Sequence, residues 1–418
     1  MGRTRGWARG ALGVAVLAAL TLGVVQIATP GRAPTPPPAA APAPAQPPPA
    51  PAPAPLRVVF VDPAGADTGD GSATAPLRTI QAALQTATPG TEIRLAPGVY
   101  REELATVRDG APGAPITIKG PETGKDRAGR YRAVVYGTGR VVSIDHSWYT
   151  LAGFTIDGQE KLAGTAFPTD FRAMTAFKDR VRDKVADGRL VYIGAAESTR
   201  GLTGITLTDM FLNGAGGECV RIRNGAHDNA VTDSVIQYCG LYGKGDGSER
   251  AVYHNGEGVY IGTSPNSKDQ PMHADDGSAR NVVARNVIRT FGSECFNVKE
   301  NAHDNVLEDN VCAANTEPAD NDGSNIELRG FANVVRNNRI SDSAGVNVKI
   351  RSDGGKYDRG GNVVENNRMS GAVAALMLDS AAAQGPMCGN VVATAMAVER
   401  DDEDDAGSAA DITAPCRQ

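Results

Sequence analysis

The sequence predicts an all-β fold, a single-stranded right-handed parallel β-helix, and three observations support this prediction. A unit made of a short alternating strand, a polar bend and an NxVxxNxI segment recurs along the chain. Gly contributes 49 residues while aromatic residues make up only 5% of the chain, which suits stacked β-structure better than a helical bundle. An amphipathic segment before the first coils would cap the open end of such a solenoid.

The repeat is clearest between residues 216–236 and 292–312, which read GGECVRIRNGAHDNAVTDSVI and GSECFNVKENAHDNVLEDNVC and align without a gap. Less regular copies lie at 255–288, 323–340, 346–369 and 374–396. Units of roughly 20 to 40 residues with short strands are typical of solenoids, whose narrow core the inward Val, Ile and Leu would fill. A β-propeller is the alternative fold, but each of its units needs four strands.

Asparagine recurs at the bends, at Asn305, Asn310, Asn333, Asn338, Asn362 and Asn367. Asn tolerates left-handed backbone and its side chain bonds to nearby amides, so we expect these asparagines to make the bends themselves. Stacked Asn side chains would also form ladders between successive coils.

The remaining elements follow in chain order. Residues 79–87 (TIQAALQTA) are predicted to form the capping helix. The segments 91–100, 114–120 and 141–158 are predicted to form the first coils. Residues 171–188 are predicted to form a helical insertion between coils.

The first 55 residues carry export features. Residues 1–29 combine a basic start with an apolar run over 11–28 and are predicted to be a signal peptide or a membrane anchor. The length of the run and the lack of a clear cleavage site favour the anchor, with the N-terminus inside. Residues 30–55 contain 13 of the 26 prolines and are predicted to form an extended polyproline linker.

The linker places the β-helix domain at residues 56–400 and an acidic C-terminal tail at 401–418. The formal net charge is -6, and the run from Asp401 to Asp405 accounts for most of it. The rest of the chain is close to neutral, so no nucleic acid partner is expected. We expect a monomer in a secreted or extracytoplasmic location.

Six cysteines fit an oxidising compartment, and none forms a CxxC pair that would indicate zinc. Equivalent places in the repeat favour three disulfides between sequence neighbours, namely Cys219–Cys239, Cys295–Cys312 and Cys388–Cys416. Free buried cysteines and other pairings remain open, because six cysteines allow fifteen arrangements.

Two sets of charged residues occupy equivalent places in successive copies. The first is Arg223, Gly262, Lys299, Arg329 and Arg351. Equivalent positions in stacked coils lie about 4.8 Å apart, and like charges that close are costly unless an anion lies among them. We interpret this set as a binding strip for an acidic polysaccharide, with a solvated face of splayed side chains as the alternative.

The second set is Glu218, Glu257 and Glu294. Stacked carboxylates repel, so a cation, an arginine or protonation must relieve them. Calcium favours such oxygen clusters and is predicted here as a possible cofactor. The alternative is that each Glu bonds backbone amides at a bend. His254 is a further substrate-binding and acid/base candidate.

The stretch VDPAGADTGDGSATAPLRTIQAAL (61–84), followed by IRLAPGVY, resembles the opening of secreted β-helix proteins of the pectate-lyase-like superfamily. A second resemblance, to the chondroitinase B and alginate lyase family, rests on GSECFNVK and NIELRG. It implies that Lys299 is the base, Arg329 its partner and Glu294 a calcium ligand. Gly292 stands where that family has a first Glu, and Asn255 is the candidate for its Asn ligand.

Taken together, these features predict an exported β-helix protein that acts on a uronic-acid polysaccharide by β-elimination. Lys299 would remove the proton, because a neighbouring Arg329 is expected to depress its pKa. The alternatives are a non-catalytic carbohydrate-binding or cell-surface structural protein, and a hydrolase that would use the pair Glu257 and Glu294.

Overall fold

The computed structural model of the protein describes residues 55–121, 125–126, 129–194, 200–242, 256–268, 272–315, 323–352, 355–400 and 411–417. Over these residues the chain winds into the predicted all-β, right-handed parallel β-helix, with three parallel sheets running along the solenoid. The predicted anchor, most of the proline linker and the run from Asp401 to Asp405 lie outside the described residues.

Sheet 1 has eleven parallel strands. They are β1 (Arg57–Val61), β2 (Thr91–Leu95), β5 (Ile116–Lys119), β8 (Tyr149–Ala152), β11 (Thr206–Thr208), β14 (Ala230–Thr232), β17 (Val282–Ala284), β20 (Val306–Glu308), β23 (Val334–Arg336), β26 (Val363–Glu365) and β29 (Met387–Cys388).

Sheet 2 has ten strands. They are β3 (Gly98–Arg101), β6 (Ala133–Tyr136), β9 (Thr155–Asp157), β12 (Phe211–Asn213), β15 (Val235–Gln237), β18 (Val287–Arg289), β21 (Val311–Asn315), β24 (Arg339–Ser343), β27 (Arg368–Ser370) and β30 (Val391–Ala393).

Sheet 3 also has ten strands. They are β4 (Leu104–Ala105), β7 (Arg140–Ile144), β10 (Arg189–Ile193), β13 (Val220–Ile222), β16 (Val259–Ile261), β19 (Phe296–Val298), β22 (Ser324–Leu328), β25 (Val346–Arg351), β28 (Ala374–Asp379) and β31 (Met396–Arg400).

The core is built from columns of β-branched and aliphatic residues that stack in register from coil to coil. In sheet 3, Ile222 pairs with Ile261, which in turn pairs with Val298. The next coil continues this column with Leu328. All four side chains are buried, since no more than 1% of any of them is exposed. The alternating pattern of each strand therefore places its neighbours on the outer face, where the charged residues lie.

Both predicted helices are present. Helix α1 (Ile80–Thr86) begins after Thr79, whose side chain accepts a hydrogen bond from the backbone N–H of Ala82, and it buries Leu84 in the N-terminal end of the core. Helix α2 (Phe171–Val181) begins the predicted insertion, and it is followed by a 3₁₀ turn at Arg182–Lys184. Phe177 on α2 belongs to an aromatic cluster outside the main core.

Two ladders of buried amide side chains run along the bends of sheet 1, as the sequence predicts. The first contains Asn229, Asn281, Asn305, Asn333 and Asn362 and ends on Gln384. The second contains Asn286, Asn310, Asn338, Asn367 and Asn390. In each step, the side-chain oxygen of one residue accepts hydrogen bonds from both the backbone N–H and the side-chain amide of the preceding coil. At the step from Asn305 to Asn333 both distances are 3.0 Å.

The expectation that these asparagines adopt left-handed backbone is wrong by one residue. The positive φ angles occur immediately before the ladder positions, for example at Asp304 (54°), Asp309 (56°) and Ala332 (54°). The left-handed residue turns the chain, and the Asn that follows it can then point into the bend and bond the neighbouring coils. The left-handed backbone and the hydrogen bonds between coils, both predicted for Asn, thus belong to two consecutive residues of the bend.

Three disulfides join the predicted pairs. Their Cα–Cα distances are 5.4 Å for Cys219–Cys239, 5.9 Å for Cys295–Cys312 and 5.0 Å for Cys388–Cys416. The third bond attaches residues 411–417 to the last coil, where Ile412 is buried and its carbonyl accepts a hydrogen bond from Asn390. Part of the predicted tail therefore packs on the solenoid. Disulfides of this number indicate an extracytoplasmic protein.

A membrane anchor stays a prediction. No helix in the described ranges is both long and apolar enough to cross a bilayer.

Removal of one ladder amide is predicted to destabilise the fold strongly. In Asn310→Ala, the backbone N–H of Asn286 and the carbonyl of Val283 lose partners at 2.8 and 2.9 Å and stay buried. Buried unsatisfied groups of this kind should lower the free energy of unfolding by about 2–4 kcal/mol. Chemical denaturation measures this loss.

The matched control is Asn266→Ala, the same change at an exposed loop position. It should alter the free energy of unfolding by less than about 0.5 kcal/mol. Equal stability of the two variants would show that the ladder does not stabilise the solenoid.

Candidate functional site

The predicted cationic positions stack on the outer face of sheet 3, at the C-terminal ends of its strands. We call Arg223, Gly262, Lys299, Arg329 and Arg351 the cationic column. The backbone N–H of Lys299 bonds the carbonyl of Ile261 at 2.9 Å, and that of Arg329 bonds the carbonyl of Val298 at 2.8 Å. Lys299 and Arg329 therefore occupy equivalent places in adjacent coils, as the repeat predicts.

A second column of outward-facing residues lies two residues before the cationic column along the strands. The sequence reasoning missed it. It consists of the outward residues in the middle of the strands, namely Tyr192, Arg221, Tyr260, Asn297, Glu327 and Lys349. These side chains are buried, although they project away from the core. The alternation within each strand is the signal that could have found them, because all of them except Tyr192 lie two residues before a cationic-column position.

Three cationic side chains lie against the ring of Tyr260. Its ring centroid lies 4.8 Å from the guanidinium of Arg221, 5.1 Å from that of Arg223 and 5.0 Å from Nζ of Lys299. Cations over an aromatic face are stabilised by its quadrupole, more so when water is excluded. Burial raises the pKa of Tyr260 to about 12 even though Lys299 and Arg221 oppose the rise, so the phenol is neutral at neutral pH.

Lys299 is a buried ammonium whose contact in the described part of the chain is the Tyr260 ring. Only 9% of it is exposed, and none of the described carboxylates lies within 4.0 Å of its Nζ. Burial disfavours the ammonium, but Tyr260 and Glu327 outweigh both burial and Arg329, so the pKa of Lys299 lies above its usual range. Arg329 lowers this pKa as expected, but its effect is outweighed and the net shift is upward.

Arg329 is held in place by carboxylates. Its Nε lies 3.2 Å from Glu327 Oε2, and its Nη1 lies 3.5 Å from Glu300 Oε1. Glu327 also accepts a hydrogen bond of 2.8 Å from Asn297. Burial would raise the pKa of Glu327, but Arg329 and Lys299 outweigh it and lower the pKa to about 2. A charged Glu327 thus orients Arg329 beside Lys299.

The other predicted substrate-binding residues have different surroundings. Arg223 is 2% exposed and donates a hydrogen bond of 3.3 Å to the hydroxyl of Tyr192. Arg351 is two coils from Lys299 and lies 3.5 Å from a carboxylate oxygen of Asp379. His254 and Asn255 lie outside the described residues.

The repulsion between the three stacked glutamates is reduced in a different way at each residue. Glu218 is fully buried between Arg189 and Arg221, whose charges outweigh burial and lower its pKa. Burial, together with Glu218 and Glu294, raises the pKa of Glu257 to about 8. Glu294 accepts a hydrogen bond from the hydroxyl of Ser293, and burial and Glu327 raise its pKa. The sequence analysis named a cation, an arginine or protonation as ways to reduce this repulsion. Arginines neutralise Glu218, and protonation neutralises Glu257.

This donor set does not fit the predicted calcium ion. Both oxygens of Glu218 already face arginines, which would repel a cation. In the ranges that the structure describes, the only three candidate ligand side chains whose donor atoms lie within 4.8 Å of one another are Glu365, Cys388 and Cys416, and the two cysteines form a disulfide. No step of the chemistry below is assigned to a metal.

Gly292, where the resemblance expects a glutamate, cannot accept a side chain. A Cβ atom there would lie 2.3 Å from the carbonyl oxygen of Cys239 and 3.0 Å from that of Gly256. Close packing of adjacent coils therefore excludes the missing carboxylate at this position. The site must perform any acid–base chemistry with other groups.

Comparisons with solved structures agree with the architecture. The chain is similar to an alginate lyase from Paenibacillus sp. str. FPU-7, with 17% sequence identity, a TM-score of 0.57 and coverage of 82% of this chain and 98% of that chain. It is also similar to the pectate lyase Pel9A, with 15% identity, a TM-score of 0.53 and coverage of 84% and 82%. At these identities the similarity shows the parallel β-helix fold alone.

Sequence comparisons add less. Residues 63–140 match the model of a family described as a protein of unknown function, DUF1565. This match covers the N-terminal cap and the first coils. A search of curated proteins finds no match.

The raised pKa of Glu257 predicts that stability falls as the pH rises. The folded state keeps a proton on this group up to about pH 8, whereas an unfolded glutamate loses it near pH 4.5. Between these values the folded state binds more protons, so the contribution is complete below pH 4.5 and is lost by pH 8 at up to about 1.4 kcal/mol per pH unit. Chemical denaturation at several pH values measures this slope.

Glu257→Gln should remove that part of the slope, because glutamine cannot ionise. Glu160→Gln, at a surface glutamate that is 38% exposed, gives the baseline for loss of one carboxylate. Parallel pH profiles for wild type and Glu257→Gln would contradict the protonated glutamate.

Proposed function

We propose that the protein binds a uronic-acid polysaccharide on the outer face of sheet 3 and cleaves it by β-elimination. The observation that carries the proposal is the environment of Lys299. The residue is 9% exposed, its ammonium lies against the Tyr260 ring, and it lacks a carboxylate partner among the described residues. A buried charge without a counter-charge is costly, so an external anion is its natural partner.

The cationic column matches a polymer that carries regularly spaced carboxylates. Lys299 and Arg329 are offset by one strand spacing of about 4.8 Å, with Arg223 on the other side of Gly262. The buried Tyr260 ring lies against Lys299 and Arg223 and stabilises these cations where water is excluded. A neutral polymer would leave Lys299 unpaired, so the site selects for charge.

The residues of the site can carry out the three parts of β-elimination. Arg329, oriented by Glu327, binds the carboxylate of the sugar and stabilises the negative charge that develops when the C5 proton leaves. The electron pair of the C5–H bond forms the C4–C5 double bond, and the C4–O bond breaks. Lys299, which is protonated, donates a proton to the leaving oxygen.

The proton acceptor proposed here is Glu257 instead of Lys299. An ammonium with a raised pKa has no free electron pair for a proton, whereas the pKa of Glu257 is about 8, so its proton-accepting carboxylate form becomes populated as the pH approaches 8. Its Oε2 is buried, and it has no hydrogen-bond partner in the described residues. No hydrogen bond from the described residues therefore competes for this oxygen.

The observations favour a lyase over a hydrolase. Two carboxylates of a hydrolase must flank the bond that is cleaved. Glu257 and Glu294 instead occupy equivalent places in adjacent coils, so both lie on the same side of the column. The alternative function, a non-catalytic carbohydrate-binding or structural protein, would use the same column. An assay of lyase activity distinguishes the two functions.

Lys299→Met is predicted to abolish lyase activity. The full chain is incubated with alginate, polygalacturonate and chondroitin, and the ultraviolet absorbance of unsaturated products is followed. Loss of the ammonium should lower kcat/KM by at least about 100-fold, the usual effect of removing one charge-stabilising group. The control Lys356→Met removes an exposed lysine that lies 4.9 Å from the Tyr357 ring and should keep full activity.

Glu257→Gln separates the proton acceptor from binding. It should lower kcat about as much as Lys299→Met, because an amide cannot accept the proton, and leave KM nearly unchanged, because the two side chains have similar shapes. Full activity of Lys299→Met would overturn the assignment of Lys299. Binding without cleavage by the wild type, lost in Lys299→Met, would support the non-catalytic protein.

A further inference from the structure

A second pocket lies on sheet 2, on a different face of the solenoid from the cationic column. Its volume is about 210 Å³, and it lies between the outer face of strands β9, β12 and β15 and the loop at 159–167. We call it the sheet 2 pocket. Asp157, Asn213 and Gln237 form its floor, and Phe167, Phe211 and Tyr238 form its aromatic walls.

The floor is a ladder of polar side chains from three successive coils in register. Gln237 Nε2 donates to Asn213 Oδ1 at 2.9 Å, and Asn213 Nδ2 donates to Asp157 Oδ2 at 2.9 Å. The backbone N–H of Gln159 bonds the other oxygen of Asp157 at 2.8 Å. Each donation fixes the orientation of the next side chain, so the ladder is pre-organised.

The open end of the ladder is Gln237. Its amide nitrogen is used by Asn213, whereas its carbonyl oxygen has no hydrogen-bond partner among the described residues. Gln237 is half-buried, so this oxygen is accessible from the pocket. A ligand that donates an O–H group would complete the ladder.

The charges at the pocket cancel. Arg130 Nη2 lies 2.9 Å from Asp157 Oδ2, and only 4% of the Asp157 side chain is exposed. The pocket therefore offers no unpaired charge to an acidic ligand, in contrast to the column around Lys299. Directional polar groups on a floor with aromatic walls are the combination that suits a polyhydroxylated ring.

The aromatic walls are themselves rigid. Tyr238 stacks on Phe291 with a centroid distance of 4.8 Å and contacts the edge of Phe167 at 4.8 Å. The Tyr238 hydroxyl donates a hydrogen bond of 3.2 Å to the carbonyl of Pro168, which attaches the loop to the sheet. The pocket is thus formed before a ligand arrives.

We infer that the sheet 2 pocket is a second carbohydrate-binding site, for a single neutral sugar unit or chain end. Its volume is below the roughly 300–1,000 Å³ of pockets for drug-sized ligands, which limits the ligand to about one ring. A sugar hydroxyl donates to the carbonyl oxygen of Gln237, and the ring contacts the aromatic walls. This inference does not depend on the proposed activity at sheet 3.

The test uses the full chain with neutral methyl glycosides of glucose, galactose, mannose, xylose and rhamnose, and with methyl glucuronoside as the acidic probe. Saturation-transfer NMR detects binding, and calorimetry measures its affinity. We expect at least one neutral glycoside to bind. Gln237→Leu should weaken that binding by about tenfold or more, because it removes the acceptor but keeps the size of the side chain.

A second variant, Thr165→Trp, fills the pocket from an exposed loop position and should also abolish binding. Gln85→Leu, the same substitution as the first at an exposed position on α1, should bind like the wild type. Absence of binding by every neutral glycoside would overturn the inference. So would binding that survives both Gln237→Leu and Thr165→Trp.

Discussion

The parallel hydrogen bonding between successive coils is the constraint on which the rest of the structure depends. A strand in one coil pairs in register with the equivalent strand of the next, as Val298 of β19 does with Leu328 of β22. Residues about thirty apart in sequence therefore become neighbours at the strand spacing of about 4.8 Å. The amide ladders at the bends reinforce the same register, because each side chain bonds the coil before it. A slip of one residue would break the ladders and turn every column from the core to the outer face.

This register places many charged side chains on the outer face of sheet 3. Most of these charges are neutralised by an ion pair or by protonation. Glu218 lies between two arginines, and Glu327 neutralises Arg329. Glu257 stays neutral by keeping its proton. Lys299 and Arg223 are exceptions, since both contact the Tyr260 ring but no described carboxylate. An unpaired cation lowers the stability of the free protein, and its retention is physically reasonable where a ligand supplies the anion.

Much of this could be predicted from the sequence, because the repeat is a direct record of the register. The alignment of GGEC with GSEC places Cys219 and Cys295 in equivalent coils, and it favoured the two disulfides that these cysteines form. It also places Lys299 and Arg329 side by side. The capping helix and the helical insertion were clear from their amphipathic pattern and length. The left-handed bend residues were misplaced by one position, because the sequence does not separate the residue that turns the chain from the one that bonds across it.

The protonation states could not be predicted in the same way. They depend on burial and on the sum of several charges from different coils, and Tyr260 and Glu327 were not recognised as neighbours of Lys299. Arg329 lowers the pKa of Lys299, but Tyr260 and Glu327 raise it by more. The sheet 2 pocket was invisible for a similar reason, since Asp157, Asn213 and Gln237 belong to coils whose polar residues share no motif.

The most direct test of the account is a comparison of two ligands that differ only in charge. Binding of polygalacturonate oligomers to the full chain is measured by calorimetry beside binding of the same oligomers after reduction of their carboxylates to alcohols. If the cations of sheet 3 form an anion-binding site, the acidic oligomer should bind at least about tenfold more tightly than the reduced one. Added salt should then reduce the difference in affinity. Equal affinity for the two ligands, or the same preference at high salt, would contradict the account.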